Sequence, residues 1–157
     1  MMFAKTFIAS LLFAASALSA PAWADNAADI EVQNPFAREI PPGSPASASF
    51  MTLFNHSDSD IKLMSAESDV AKIVELHTHT HDNGVMRMRK IESITIPANA
   101  SAHLKPGGLH IMLIQPTQDL KAPEEISVTL NFEDGSSKIV NLPVKSFMRM
   151  NKGHKMH

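Results

Sequence analysis

The chain has no cysteine, no tyrosine, a single tryptophan and no excess of basic residues. Each lack removes a class of function. Without cysteine there is no disulfide framework, which exported domains of this size often use, and no thiol–disulfide chemistry. A blue-copper site needs a Cys thiolate beside its two histidines, so it is excluded, as is any thiolate-based metal carrier. The formal charge is −2, from 14 Lys and Arg against 16 Asp and Glu. Nothing there supplies the basic face that nucleic acid requires, and the scarcity of Tyr and Trp removes most platforms for stacking single-stranded bases. After the N-terminus, no stretch approaches the ~20 apolar residues of a membrane helix.

What is present begins with a leader. Residues 1–24 carry one positive charge, Lys5, then an apolar run from Phe7 to Leu18, and end in Ala22-Trp23-Ala24. A charged start, a short apolar run and an A-x-A cleavage signal predict a secretory signal peptide cut before Asp25. The tryptophan leaves with it. The remainder is one small domain by length, long enough to hide roughly two-thirds of its unfolded surface. We expect that domain over residues 25–146 and a flexible His/Met-rich tail over 147–157.

The domain reads as all-β. Strands are expected at 30–33, 48–56, 60–68 and 71–79, followed by a turn at 81–84 and a return strand over 85–96. A strand at 106–116 opens on Gly107-Gly108 and closes at Pro116, and a hairpin over 124–144 turns at 133–136. Asn83-Gly84 and Asp134-Gly135 between apolar runs are strong hairpin signals. A short helical turn fits 65–73 and no longer helix fits anywhere. Many short strands without amphipathic helices between them predict a β-sandwich or small barrel.

The chemistry concentrates at one turn. In "VELHTHTHDNGVMRMRK", residues 74–90, His77, His79 and His81 alternate and so share a strand face. Met86 and Met88 share a face of the returning strand. Directly opposed residues of a hairpin lie about 5 Å apart and diagonal ones about 7–8 Å. A two-residue turn at Asn83-Gly84 sets His79 opposite Met88, with His77 diagonal; a turn centred on Asp82-Asn83 sets His77 opposite Met88. The spacing leaves both registers open. In "PGGLHIMLIQP", His110 and Met112 form a second pair on one face. Zinc has little use for thioether, and calcium and magnesium want oxygen. A neutral His/Met set suits soft Cu(I). Other members of these residue types read as ordinary structure: Met51 and Met64 as core filler, His56 as a polar turn residue near Asp58 and Asp60, His103 as a loop residue.

His77, Met88, His110 and Met112 are separated by ten, twenty-one and one residues. With "LKPGGLHIMLI" around the last pair, this spacing resembles the H-x10-M-x21-H-x-M motif of the periplasmic copper chaperone family of the PCuAC type. The similarity runs from about Ile30 to Val144. It implies a cupredoxin-like or immunoglobulin-like β-sandwich, a periplasmic location, and no catalysis. It also implies one Cu(I) held by His77, Met88, His110 and Met112. The choice of His77 over His79 rests on the resemblance alone. The family is associated with delivering copper to the dinuclear centre of respiratory oxidases beside thiol-bearing Sco-type proteins. These are the expected partners of what we expect to be a monomer.

His79 and His81 add imidazoles outside the motif. Met148, Met150, His154, Met156 and His157 add further thioethers and imidazoles in the tail, which resembles the extensions that some family members carry and that are linked to Cu(II). These residues are the candidates for a secondary metal site. We expect the main site at the mouth of the sandwich, where loops and strand ends meet. The alternatives are a copper buffer without a dedicated acceptor, a small copper oxidoreductase, and a structural β-sandwich with incidental metal binding.

Overall fold

The computed structural model describes residues 25–40 and 42–146. The expected leader and the tail, with its five candidate ligands, lie outside them. A four-residue helix, α1 (Asn26–Asp29), is capped by the Asp25 carboxylate, which accepts from the Ala28 amide at 3.2 Å. Ten strands follow: β1 (Ile30–Arg38), β2 (Ala46–Asn55), β3 (Ile61–Glu67), β4 (Ala71–Asp82), β5 (Val85–Lys90), β6 (Ile94–Ile96), β7 (Ser101–Leu104), β8 (His110–Pro116), β9 (Glu125–Phe132) and β10 (Ser137–Lys145).

Period-two alternation builds the core. On β9, Ile126, Val128, Leu130 and Phe132 are buried between polar neighbours, and on β10 Val140, Leu142 and Val144 match them. One layer runs β5-β4-β8-β2-β1, with β7 on the same edge of β2 as β8. The other runs β10-β9-β3-β6. Ala37 with Val144 and Arg38 with Lys145 form a short parallel contact that joins the two. Ile111, Leu113 and Leu76 from the first layer share one apolar cluster with Leu63, Ile94 and Leu130 from the second. The architecture is the expected β-sandwich.

Several local expectations change. The first strand does not stop at Gln33; it continues to Arg38 across a bulge, where its register on β2 shifts between Gln33 and Phe36. Asn34 takes φ 50 there, beside Pro35, which has no N–H for the ladder. The single return strand expected over 85–96 is two strands in different layers, β5 against β4 and β6 against β3. No helix forms over 65–73; the chain turns there between β3 and β4. Met64 is not core filler but 44% exposed, because Ile61 and Leu63 take the core face of β3 and period-two alternation turns Met64 outward; the register shift against β9 acts beyond it, on Ser65 and Ala66. Met51 is buried as expected. His103 lies on β7 rather than in a loop, its Nδ1 3.2 Å from the Thr52 hydroxyl.

The hairpin of β4 and β5 settles the register left open by spacing. Asp82 pairs with Val85, His81 with Met86 and His79 with Met88. The two turn residues, Asn83 (φ 52) and Gly84 (φ 79), both take positive φ, the type I′ geometry that matches strand twist. Every residue of β5 is exposed, and β4 is its sole partner strand in the sheet order. Gly84→Ala meets no steric obstacle at Cβ but forces an L side chain into the left-handed region at a cost of about 1–2 kcal/mol. We expect amide exchange on β5 to accelerate while the core strands keep their protection; equal acceleration across β8 and β9 would show that the hairpin is not an independent unit.

Candidate metal centre

Three neighbouring strands carry the candidate ligands. On β8, Ile111 and Leu113 point into the core at 0% exposure, so His110 and Met112 emerge on the opposite face of the sheet. Leu76 does the same for β4, leaving Glu75, His77, His79 and His81 on that outer face. The register sets His77 beside His110 and Glu75 beside Met112. Across the hairpin, Met88 lies opposite His79 and Lys90 opposite His77. The cluster therefore sits on the outer face of one layer and not in a mouth between the two sheets, as we had expected. The reason is the alternation itself: residues that flank core positions on a strand cannot turn inward.

His110 is nevertheless buried, at 2% exposure. The rings of His79, His77 and Phe50 surround it at centroid distances of 5.1, 5.8 and 6.3 Å. The remaining cover comes from a tight turn at Lys105-Pro106-Gly107-Gly108. Pro at its second position and Gly107 with φ +81 at its third are the type II signature, and the Gly108 amide closes it on the Lys105 carbonyl at 3.0 Å. This turn aims the Gly108 carbonyl at two imidazoles. His110 Nδ1 donates to it at 2.9 Å, and His79 Nδ1 lies 3.3 Å away.

That hydrogen bond fixes the chemistry of His110. A neutral imidazole carries one N–H; with Nδ1–H committed to Gly108, Nε2 keeps a lone pair. It faces the Met88 Sδ at 3.4 Å. Two electron-pair donors thus converge with no proton between them. With metal–nitrogen bonds near 2.0 Å and metal–sulfur bonds near 2.3 Å, two tetrahedral ligands of one ion lie about 3.5 Å apart. The observed spacing fits a shared ion.

His77 is polarised from the other side. Its Nε2 donates to Glu75 Oε2 at 2.8 Å, and Lys90 Nζ donates to Glu75 Oε1 at 2.9 Å. The Lys90 ammonium and then the His77 ring hold the Glu75 carboxyl below the usual carboxylate range. His77 Nδ1 is buried without a hydrogen-bond partner, a costly state that a bound cation would relieve. A carboxylate behind a ligating histidine fixes its tautomer and raises its basicity.

A cavity of about 330 Å³ opens onto the cluster. Met88, His110 and Met112 line it, as do His79 and Met86, together with Phe50 and the Arg38 side chain. His77 is not on its wall. Among the described residues, no three His, Asp or Glu side chains gather as a metal site. The contributions of Arg38, Phe50 and Lys90 were not read from sequence, because nothing in the chain's spacing links them to the ligands. Glu75 was within reach: it precedes His77 by two residues and shares its face. His56 pairs instead with Glu31, at 2.8 Å, away from the cluster.

Burial pushes the His110 imidazole below the ordinary histidine value; its bond to Gly108 opposes this, and His79, His77 and Arg38 add to the lowering. His110 is thus neutral and ready to ligate at a pH where the unfolded chain's imidazole, near ~6.5, already binds a proton. Between those two values the unfolded state holds more protons, so apo stability falls as pH drops below ~6.5 and levels once folded His110 titrates. An imidazole titration by NMR in the apo protein should place His110 below 6.5; a midpoint above it would contradict the buried, neutral site.

With this geometry in hand, similarity to known proteins places the chain. Residues 30–144 match the family model "LpqE-like: Putative lipoprotein LpqE-like". The chain is 39% identical over 114 residues to "Putative lipoprotein Lxx21020" of Leifsonia xyli subsp. xyli, covering 72% of this chain and 69% of that one. It resembles the solution structure of CuI-DR1885 from Deinococcus radiodurans at 35% identity and a TM-score of 0.60, over 76% of this chain and 81% of the other. The copper-bound PCuAC domain from PmoF2 shares the fold at a TM-score of 0.63, with 19% identity, over 75% of this chain and 93% of that domain. The family model spans most of the chain, which belongs to the LpqE-like family and shares the fold of PCuAC domains.

Proposed function

We propose that this protein is an exported, periplasmic copper chaperone that holds one Cu(I) between His77, Met88, His110 and Met112. We propose further that it hands the ion to the dinuclear copper centre of a respiratory oxidase, beside a Sco-type thiol protein. The observation that carries the reading is the convergence of the His110 Nε2 lone pair and the Met88 sulfur at 3.4 Å. Supporting it are the unpartnered Nδ1 of His77 and the Cu(I) form in which the 35% identical DR1885 was solved. The relative named a lipoprotein supports an envelope location.

The ligands are neutral, so the bound site carries only the ion's single charge and little counter-charge need be buried. Thioethers favour Cu(I) over harder divalent ions and hold it less firmly than thiolates. A half-exposed Met88, at 48%, leaves one side of the ion open to an incoming ligand. Ligand exchange then moves copper without releasing it. The cavity also places His79 within reach, so His77 and His79 compete for the fourth position; Glu75 behind His77 favours His77.

Anaerobic competition with a Cu(I) chelator tests this directly. Single alanine variants of His110, Met88 and Met112 should each lose Cu(I) affinity by more than about 100-fold, beyond the 10–100-fold typical of an outer-shell loss. Glu75→Gln should fall inside that outer-shell range. Weak Zn(II) binding should survive loss of either methionine; equal losses for both metals would contradict a soft site. His77→Ala and His79→Ala measured side by side decide the fourth ligand. Transfer to a copper-free oxidase subunit that persists against a chelator for free Cu(I) separates a chaperone from a buffer. Saturation at a hundredfold excess over Kd should stabilise the fold by roughly 2.7 kcal/mol.

A further inference from the structure

The hairpin carries more His–Met pairing than one site uses. His81 lies directly opposite Met86, one rung beyond the His79–Met88 pair. Both members face the same side of the sheet as the cluster, by the alternation that places His77 there. Opposed residues of such a pair have Cβ atoms about 4.5–5.5 Å apart, close enough for an imidazole and a thioether to share an ion. Met86 lines the same cavity as Met88, His110 and Met112. The cavity therefore runs from the inner cluster out to Met86, the residue opposite His81.

Both hairpin methionines are about half exposed, Met88 at 48%, and the fall in exposure comes along the histidines. Met86 is 51% exposed and His81 is exposed at the tip; His79 is half-buried; His110 is 2% exposed. Solvation of a bare cation is lost in the same order. An outer pair of two neutral donors, open to water, holds Cu(I) more weakly than an inner set of four, since it has fewer donors and a competing solvent. Met88 links the hairpin to the inner cluster: it lies opposite His79 and 3.4 Å from His110 Nε2.

We propose that His81 and Met86, with His79, form a second, weaker Cu(I) site that takes up the ion at the hairpin tip and passes it inward through Met88. This rests on the inner-site reading above. The step is a ligand exchange: a nitrogen–copper or sulfur–copper bond forms to the inner donor as one to the outer donor breaks. The copper stays Cu(I), no electron moves, and every donor is neutral, so the charge carried along the line is constant. A soft, neutral path is selective in the same way as the site it feeds, because an oxygen-seeking divalent cation finds no carboxylate on it.

The test is an anaerobic Cu(I) titration of the full chain followed by NMR at the His imidazoles and Met methyls, which resolves the hairpin from the tail. The first equivalent should shift His110, Met88 and Met112; the second should shift His81 and Met86. A His81→Ala/Met86→Leu double variant should keep the inner affinity, lose the second set of shifts, and take up Cu(I) from a weak chelator about tenfold more slowly, a kinetic effect without an equilibrium one. If the second equivalent leaves His81 and Met86 unmoved, or the double variant loads at the parent rate, the intake site is wrong and the inner site stands. If the first equivalent leaves His110 and Met112 unmoved, the inner-site reading fails and the intake role falls with it.

Discussion

The alternation of one strand, β8, is the constraint from which the rest of the site follows. Ile111 and Leu113 sit in the core without exposed surface. Each fully buried aliphatic side chain is worth about 1.5–3 kcal/mol relative to an exposed one. Sliding β8 by one residue would expose both and bury His110 and Met112 in their place. The core thus holds the ligands in register without touching them. The same lock applies to β4 through Leu76, and the pairing of His77 with His110 is its consequence.

Charge is arranged around this rigid frame and kept off the donors. Lys90 and Glu75 neutralise each other beside His77, and the Gly108 carbonyl takes the His110 proton on the side away from Met88. What the candidate donors present to the cavity is lone pairs, with the Arg38 side chain on the wall beside them. Burial makes protonation of His110 unfavourable, so the feature that disfavours a proton also readies the nitrogen for a metal. A hard divalent ion would bring twice the charge into the same neutral set. The selectivity proposed for the site comes from what it omits as much as from what it contains.

Much of this was legible in the chain. Period-two patterning located most strands, and Asn83-Gly84 marked the hairpin as a turn of the type that needs two positive φ values. The shared faces of His77, His79 and His81, and of His110 and Met112, follow from strand geometry alone. The register of the hairpin did not follow from spacing, because two adjacent turns could close it; the positive φ of Asn83 and Gly84 selects the one that pairs His79 with Met88. Met64 misled because its residue type suits a core, although the alternation set by Ile61 and Leu63 already turned it outward. The single return strand misled because residues 85–96 alternate well enough to read as one element, and only partner choice divides them between layers. Arg38 and Phe50 come from β1 and β2 and reach the cavity through topology, which no local spacing encodes. The placement on an open face, rather than at a mouth, could have been derived: it needed only the step that core residues at 111 and 113 exclude their neighbours from the interior.

The site has two mechanically different halves. His77, His110 and Met112 stand on β4 and β8, strands held on both sides and anchored in the core. Met88 stands on β5, an edge strand whose six residues are all exposed and whose backbone, among the described residues, pairs with β4 alone. Regions with few buried contacts open locally at low cost, while core strands open only near the global stability. A carrier needs this division. Four rigid donors would bind copper and keep it, because leaving would require the core to move. Four mobile donors would pay conformational entropy at every binding event. With three donors fixed and one on a hairpin that opens by itself, the proposed coordination can fall from four to three at small cost. That opens a position on the ion for an acceptor's ligand without unfolding the frame. The weak edge strand, a liability in most β proteins for its unpaired backbone, is in the proposed function the element that would let the ion go.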